Sequence, residues 1–536
     1  MMDEMDKSMA LGGQPPKSLT LGQGMAVVIG MGGLGIMLLA LFNLSFPNRA
    51  LWLGLSLAAI ASGVIWFSWE AYAHRLPGIK NDGVWMKSMS SRGLWAWGLG
   101  LVLTGFYIVL YFYPQYLGLV QGGENRGLIA LFDPLSRLLS GQPASQWFIY
   151  GTLYTVAILV FGLKFLWKYR HSPYQRLRTL SVMFFQTAFA FLLPELMARL
   201  NGHEILDGGS LPYFDLKSIW PLNYYNFESY RIQGFLGSGD IGLALLIFAL
   251  LSIFVITPIL TYRYGKRWYC SWVCGCGALA ETAGDPFRQL SDKSLGAWKL
   301  ERWMIHLVLV FVVVMTTAVV HSYLGTDPSK YWLTKNVFLI AVALLLCGVF
   351  GWAMLFRRKQ LQKDARYGAV ACFVIVLALI VLALGGDGQG FPIRPETLRK
   401  SYGFLIGSVF SGVIGTGFYP LFGARVWCRF GCPMAAILGF QQKLFSRFRI
   451  TTNGGQCISC GNCSTYCEMG IDVRAYAQRG ENIVRSSCVG CGICSAVCPR
   501  GVLKLENGPS RGRIDSREVL LGNDVDLLSL VREDHR

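Results

Sequence analysis

Charge is the scarcest commodity in this sequence. Only 15% of its 536 residues are Asp, Glu, Lys or Arg, against roughly a quarter in soluble proteins, so an ordinary solvated surface over several soluble domains is excluded. Acidic residues are the rarer sign, 31 against 49 Lys and Arg, and none occurs between Asp6 and Glu70. That gap removes one apparent motif. Gly30-x-Gly32-x-x-Gly35 spells a dinucleotide fingerprint, but the fingerprint also needs an acidic residue about 20 positions on to hold the ribose. Close packing of helices through small residues accounts for these glycines instead. Histidine is scarce as well: there are six, with His306 and His321 near opposite ends of one apolar run and His203 outside it, which gives no spacing for haem. No constellation for hydrolysis or group transfer is visible. The 62 glycines follow no G-X-Y period, which excludes collagen.

What the sequence has in excess is apolar. Hydrophobic residues make up 53%, mean hydropathy is +0.42, and there are 33 Phe and 16 Trp. A helix needs about 20 apolar residues to cross the hydrocarbon core of a bilayer. Ten such runs lie near 24–46, 51–69, 94–114, 146–167, 178–199, 241–262, 303–320, 336–356, 367–385 and 403–422. The first is too long for a signal peptide, and no cleavage site precedes Leu51. Lys and Arg are in excess in the loops after the second, fourth, sixth and eighth runs. The positive-inside bias then places those loops and both termini in the cytoplasm. The net charge of +18 follows mainly from these anchors, and nucleic acid is not expected as a partner.

The segments expected on the outer side are different. Leu128 to Leu139 is apolar and suits an interfacial position, and Trp220, Tyr224, Tyr225, Phe227 and Tyr230 suit an aromatic belt or a quinone pocket. Gln186 and Glu195 are polar groups in the fifth run. Such groups inside a membrane are functional candidates by default, here as a quinone or proton site.

Fifteen cysteines are present, and thirteen of them fall in four tight groups. Cys347 and Cys372 stand alone in apolar runs and read as small hydrophobes. Cys457-x2-Cys460-x2-Cys463-x3-Cys467 is followed by Cys488-x2-Cys491-x2-Cys494-x3-Cys498-Pro499. In such a doubled ferredoxin run each C-x2-C-x2-C loop gives three thiolates to one 4Fe-4S cluster, and the fourth Cys reaches the other cluster. The first cluster is therefore assigned to Cys457, Cys460, Cys463 and Cys498, and the second to Cys488, Cys491, Cys494 and Cys467. Zinc ribbons use pairs of C-x2-C and do not explain two such runs. Glu468 stands where the first run would ordinarily have Pro, a turn preference rather than a ligand.

The other two groups follow the sixth and tenth runs: Gly265-Lys-Arg-Trp-Tyr-Cys270-Ser-Trp-Val-Cys274-Gly-Cys276 and Gly423-Ala-Arg-Val-Trp-Cys428-Arg-Phe-Gly-Cys432-Pro433. They share Gly, Arg, an aromatic and Cys-x3-Cys, which reads as an internal repeat on one membrane face. Paired thiols one helical turn apart can chelate a metal, form a redox disulfide or donate to a cluster shared between the repeats. Arg267 and Arg425, three residues before each first Cys, favour thiolates or a negatively charged cluster.

From roughly residue 241 to 505 the sequence resembles the NosR/NapH/CcoG-type membrane polyferredoxins. The resemblance rests on Cys428-x3-Cys432-Pro433, Cys270-x3-Cys274, and the first ferredoxin run continuing as Met469-Gly-Ile-Asp-Val473. It implies two cytoplasmic 4Fe-4S clusters and electron transfer at the bacterial inner membrane, with quinone and cytochrome or iron-sulfur proteins as partners. Cys270, Cys274, Cys428 and Cys432 then correspond to the family's paired cysteines. Cys274-Gly-Cys276 departs from the family's Cys-Pro, so an extra thiol stands there. The N-terminal half matches nothing in the family, and the covalent-flavin sequence of a NosR periplasmic domain is not found.

The expected fold is thus mainly α: a polytopic membrane bundle of about ten helices with a C-terminal two-cluster ferredoxin-like α+β domain. Its parts are an N-terminal membrane region (1–240), a membrane core with the two Cys-x3-Cys repeats (241–449), the ferredoxin unit (450–510) and a charged tail (511–536). The expected function is an electron-transfer subunit linking quinone or a cytoplasmic donor to a partner redox protein. An assembly factor that reduces a metal or thiol, and a redox-coupled ion-translocating subunit, are the alternatives.

Overall fold

The computed structural model describes residues 19–73 apart from 43 and 45, 89–201, 211–326 apart from 213 and 218, 333–385 apart from 362, 391–508, 520–521 and 525–526. Among these, nine helices are long and apolar enough to cross a membrane: α1 Leu21–Leu41, α2 Arg49–Tyr72, α3 Leu94–Phe112, α4 Gln146–Lys168, α5 Pro173–Leu200, α6 Gly239–Tyr264, α7 Leu295–Tyr323, α8 Lys335–Phe356 and α9 Lys363–Gly385. The chain is a multi-pass membrane protein. The tenth expected run is helical too, from Pro395 to Tyr402 and on through Gly403–Gly417 in a wider helical turn. It is called α10, and its apolar part, Gly403–Gly417, is a separate stretch of 15 residues, shorter than the other nine spans. The tail and residues 1–18 lie almost entirely outside the described residues.

Side-chain caps start the spans. Thr20 and Gln23 form a reciprocal capping box on α1, and Asn48, Ser145, Ser172, Ser294 and Thr334 each accept from a first-turn N–H of their helix. The glycines of α1 pack helix on helix: a Cβ on Gly63 would lie 2.6 Å from the Ala26 carbonyl, and Ser56 Oγ donates to Gly33 O at 2.7 Å. Wider turns also interrupt α5 at Phe185–Leu192 and α6 at Ser252–Ile256. Each lies just ahead of a proline, Pro194 and Pro258, which cannot donate to the preceding turn.

The stretch expected along the interface forms the helix Gly127–Ser140, and its Leu128, Ile129, Leu131 and Phe132 are buried in a core shared with α1, α2, α3 and α4. Asp133 on this helix holds the Asn125 amide and the Ala144 N–H, both at 2.8 Å, so its charge is satisfied inside. The aromatic segment is likewise no simple belt. Tyr230 is exposed, but Trp220 turns inward and donates to Thr316 of α7, while Tyr224 packs edge-on against Tyr402.

The ferredoxin unit is closed by two antiparallel strands, β1 Phe448–Thr452 and β2 Leu503–Asn507, in register Ile450↔Leu505. Between them the two cysteine runs form matching halves. Gly461 and Gly492 sit at φ +80° and +76° and turn each run into a one-turn helix, Asn462–Thr465 and Ile493–Ala496. Only glycine enters that region without strain.

Candidate iron-sulfur centres

Two cavities in the ferredoxin unit are lined as the spacing requires. Cys457, Cys460, Cys463 and Cys498 surround one, and Cys467, Cys488, Cys491 and Cys494 the other. The fourth cysteine of each run crosses to the other run's site. Backbone N–H groups of Met469 and Ile471 point to Cys467, and those of Arg500, Val502 and Leu503 to Cys498, an arrangement that stabilises thiolates. Burial nevertheless pushes Cys463 and Cys491 up to about 12 and Cys488 up to about 11. Burial thus opposes ionisation of these three thiols, and iron binding at them must release their protons. The two sites adjoin, since Cys494 is influenced by Cys463. The first is the solvent end: Cys460 is exposed and Ile458 is 54% exposed.

The two Cys-x3-Cys turns converge. Cys270, Cys274, Cys428 and Cys432 are all buried in one core with the ferredoxin cysteines, and Cys276 packs at its edge. Each repeat leaves its span through a glycine with positive φ, Gly265 at +65° and Gly423 at +92°, where a Cβ would meet Gln442 or Ser291. Cys428 and Cys270 both influence Cys432, and Cys274 influences Cys428. Burial pushes Cys270 up to about 12, against the pull of Lys266. Cys274 is the exception: a hydrogen bond from Cys276, the Gly277 N–H, Lys217 and Arg425 hold it below the usual thiol range despite burial. Its place ahead of the helix Gly275–Thr282 adds to this.

The two arginines of the repeat do different things. Arg425 is fully buried, and its Nη1 lies 3.6 Å from Cys428 Sγ and 3.3 Å from Cys270 O. Arg267 turns to the ferredoxin unit, over the Phe448 ring and onto Asn507 Oδ1 at 3.0 Å, so the expected role at the thiols falls instead to Lys266. The Lys266 ammonium is buried, has no hydrogen-bond partner among the described residues, and bears on both Cys270 and Cys488. A buried ammonium without a protein counter-charge calls for an anion beside it. A thiolate-bound 4Fe-4S cluster at Cys488, which is negatively charged, would meet that need.

Around these sites runs a buried charge network that the sequence did not disclose. Glu468 accepts from Arg288 Nη1 at 2.8 Å and Arg425 Nε at 2.9 Å, and Arg425 and Arg178 both pair with Glu281. Asp285 takes Arg288 at 2.9 Å, Lys168 at 2.9 Å and Lys164 at 3.2 Å, and Arg429 pairs with Glu301 at 2.6 Å. Burial opposes ionisation of Asp285, but the three cations hold it far below the usual carboxylate range. Glu281, Glu468 and Cys491 also stand close enough to share a metal, but both carboxylates are already committed to arginines.

On the other side of the cysteine turns, a segment from the expected outer loop reaches in. Lys217 Nζ donates to Gln186 Oε1 at 2.7 Å, Gln186 donates to Thr155 at 3.1 Å, and Tyr269 OH donates to Lys217 O at 2.9 Å. A Cβ on Gly275 would lie 2.5 Å from Gln186 Oε1 and 2.7 Å from Lys217 Nζ. Gln186 therefore borders the Cys274–Cys276 turn. Glu195 does not: it is half-buried and bonds to Ser140. Cys347 is exposed on its span and Cys372 partly so, facing outward rather than into the protein.

Residues 246–294 and 404–451 each match the 4Fe-4S binding domain family, and residues 456–503 match the 4Fe-4S dicluster domain family. The repeated match coincides with the two Cys-x3-Cys segments. The putative electron transport protein YccM of Escherichia coli (strain K12) is 25% identical over 225 residues, 42% of this chain and 46% of that protein. The chain thus spans less than half the length of this curated relative. No solved structure matches. Domains and relative together support iron-sulfur electron transfer in a multi-pass membrane protein.

Proposed function

We propose that the chain is an electron-transfer subunit of the bacterial cytoplasmic membrane, related to the NosR/NapH/CcoG-type polyferredoxins, with a third 4Fe-4S cluster shared between its two repeats. One observation carries the reading: Cys270, Cys274, Cys428 and Cys432 meet in one buried core with the ferredoxin cysteines. Bound clusters supply one-electron carriers without proton chemistry. The residues set the order of the carriers. The exposed Cys460 end receives or delivers electrons at a cytoplasmic partner, and the paired turns form the membrane end. The excess of Lys and Arg in the loops after the second, fourth, sixth and eighth apolar runs supports a cytoplasmic position for the ferredoxin unit, which follows the tenth run. Gln186 and Lys217, against Gly275, offer hydrogen bonds to a quinone or to protons on the far side of the paired turns. Glu195 would act there only as a more distant group.

Anaerobic iron and acid-labile sulfide analysis with EPR of the reduced protein tests this. The reading expects about twelve irons, falling to about eight in the Cys270→Ser, Cys428→Ser variant. About eight in both would refute the third cluster. It would favour the second reading, an assembly factor that reduces a metal or thiol. The fifth thiol, Cys276, hydrogen-bonded to Cys274, supports that second reading, because it exceeds what one cluster takes. Free thiols at these positions, open to alkylation in the iron-loaded protein, would then be expected.

A further inference from the structure

Glu468 occupies a turn position beside the ligand Cys467, yet its carboxylate is 1% exposed and held by two arginines. Ser291 Oγ donates to its carbonyl at 2.6 Å, so the backbone is fixed as well. One carboxylate oxygen lies within 4.8 Å of Cys491 Sγ, a second ligand of the same cluster. Through Arg425 the carboxylate is joined to Cys428 Sγ and Cys270 O at the paired turns. It is thus a fixed negative charge between the second ferredoxin cluster and the membrane end. Five cations also face that cluster: Arg288 and Arg178 at Cys491, Lys266 and Arg485 at Cys488, and Lys293 at Cys467. Glu281 and Asp285 answer part of this charge; without Glu468 the balance at the cluster would turn more positive, and an electron would be held there more firmly, because nearby positive charge favours the reduced, more negative state.

We propose that Glu468 is a potential-setting residue, whose buried carboxylate keeps the cluster of Cys467, Cys488, Cys491 and Cys494 reducing enough to hand its electron on toward the membrane. The inference rests on the two ferredoxin clusters and holds whether or not the paired turns carry a third. A proline at this position would terminate the turn equally well. It would leave Arg288 and Arg425 each short of a partner and the cluster more easily reduced.

Potentiometric EPR titration of purified, cluster-loaded Glu468→Gln tests this, with the cluster of Cys457, Cys460, Cys463 and Cys498 as internal reference. The expected result is a positive shift of the second cluster relative to the first by at least a tenfold change in electron partition, 59 mV for one electron. Glu468→Asp, which keeps the charge, should move it by less than half as much. A relative shift that is absent or negative in Glu468→Gln would overturn the proposal, as would an equal shift in Glu468→Asp. If Glu468→Gln loses iron, Glu468→Pro is titrated in its place with the same two outcomes. Total iron, read on the same samples, separately decides the third cluster, so the two readings fail independently.

Discussion

Asp285 is the sharpest test of how the ferredoxin unit is held to the spans. Its carboxylate is fully buried and serves Lys164 and Lys168 at the end of α4 and Arg288, which itself reaches Glu468. Asp285→Asn keeps the shape and removes the charge. Arg288 retains Glu468, but the two lysines, each 1% exposed or less, lose their shared counter-ion. Breaking a buried pair from one side costs about 3–5 kcal/mol. The three pairs share one carboxylate and are not additive, so about 3–5 kcal/mol is the expected total, about two to four orders of magnitude in the equilibrium constant. Guanidinium titration of the detergent-solubilised protein, followed by cluster absorbance and by tryptophan fluorescence, measures it. Adding Lys168→Met should recover part of the loss by removing one of the two ammonium groups that shared the carboxylate. A loss under about 1 kcal/mol, or further destabilisation in the double variant, would refute the argument that these lysines depend on Asp285. The pH dependence follows in sign. The folded carboxyl is held below its ordinary value, so its contribution is complete above about pH 4 and disappears only as acid takes the pH down toward the folded value.

Other outcomes follow from the same contacts. Gly439→Ala puts a Cβ 2.7 Å from the Ser486 carbonyl and should cost about 1–3 kcal/mol by forcing the helix Pro433–Phe445 away from the ferredoxin loop, visible as faster iron release to a chelator. Tyr174→Phe removes a 2.7 Å hydrogen bond to Gly490 O and should lower stability by about 0.5–1.5 kcal/mol in the same guanidinium assay, with the iron content unchanged. Cys347→Ala, at an exposed position on α8, should change neither iron content nor EPR signal. Protease added to inverted membrane vesicles should cut near the ferredoxin unit, and protease added to right-side-out spheroplasts should not. The reverse pattern would overturn the cytoplasmic placement.

The ferredoxin ligands were legible in the sequence because a cluster dictates the local spacing of its thiolates, and Cys467 and Cys498 cross over as that spacing implies. The apolar runs were legible because a bilayer dictates length. The paired turns were visible as a repeat, but their meeting in one core depends on how α6 and α10 pack, which no local pattern records. Glu468 was visible as a departure from Pro, yet its partners Arg288 and Arg425 lie 180 and 43 residues away. Spacing arguments cannot see such a pairing. That Leu128 to Leu139 buries Leu128, Ile129, Leu131 and Phe132 against neighbouring spans was not legible, because a helix packed on protein and one lying on lipid share an apolar face. Asp133, paired internally with Asn125, distinguishes them only in three dimensions. Arg267 shows the converse limit. Two arginines in equivalent repeat positions take different partners because only the first repeat adjoins Phe448 and Asn507.

The membrane core does more than abut the second ferredoxin run; it holds the run's peptide carbonyls one by one. Gln442 donates to Cys488 O at 2.9 Å, Ser271 to Val489 O at 2.8 Å, Tyr174 to Gly490 O at 2.7 Å and Gln175 to Cys491 O at 2.8 Å, while His171 meets Ala496 O at 3.0 Å. These five side chains come from α5 and its entry loop, the turn after α6 and the helix after α10, all synthesised before residue 488. Every residue of the template for the last loop therefore precedes that loop in the chain. An order of biogenesis in which the spans insert first would present the ferredoxin loop with these five donors as it folds.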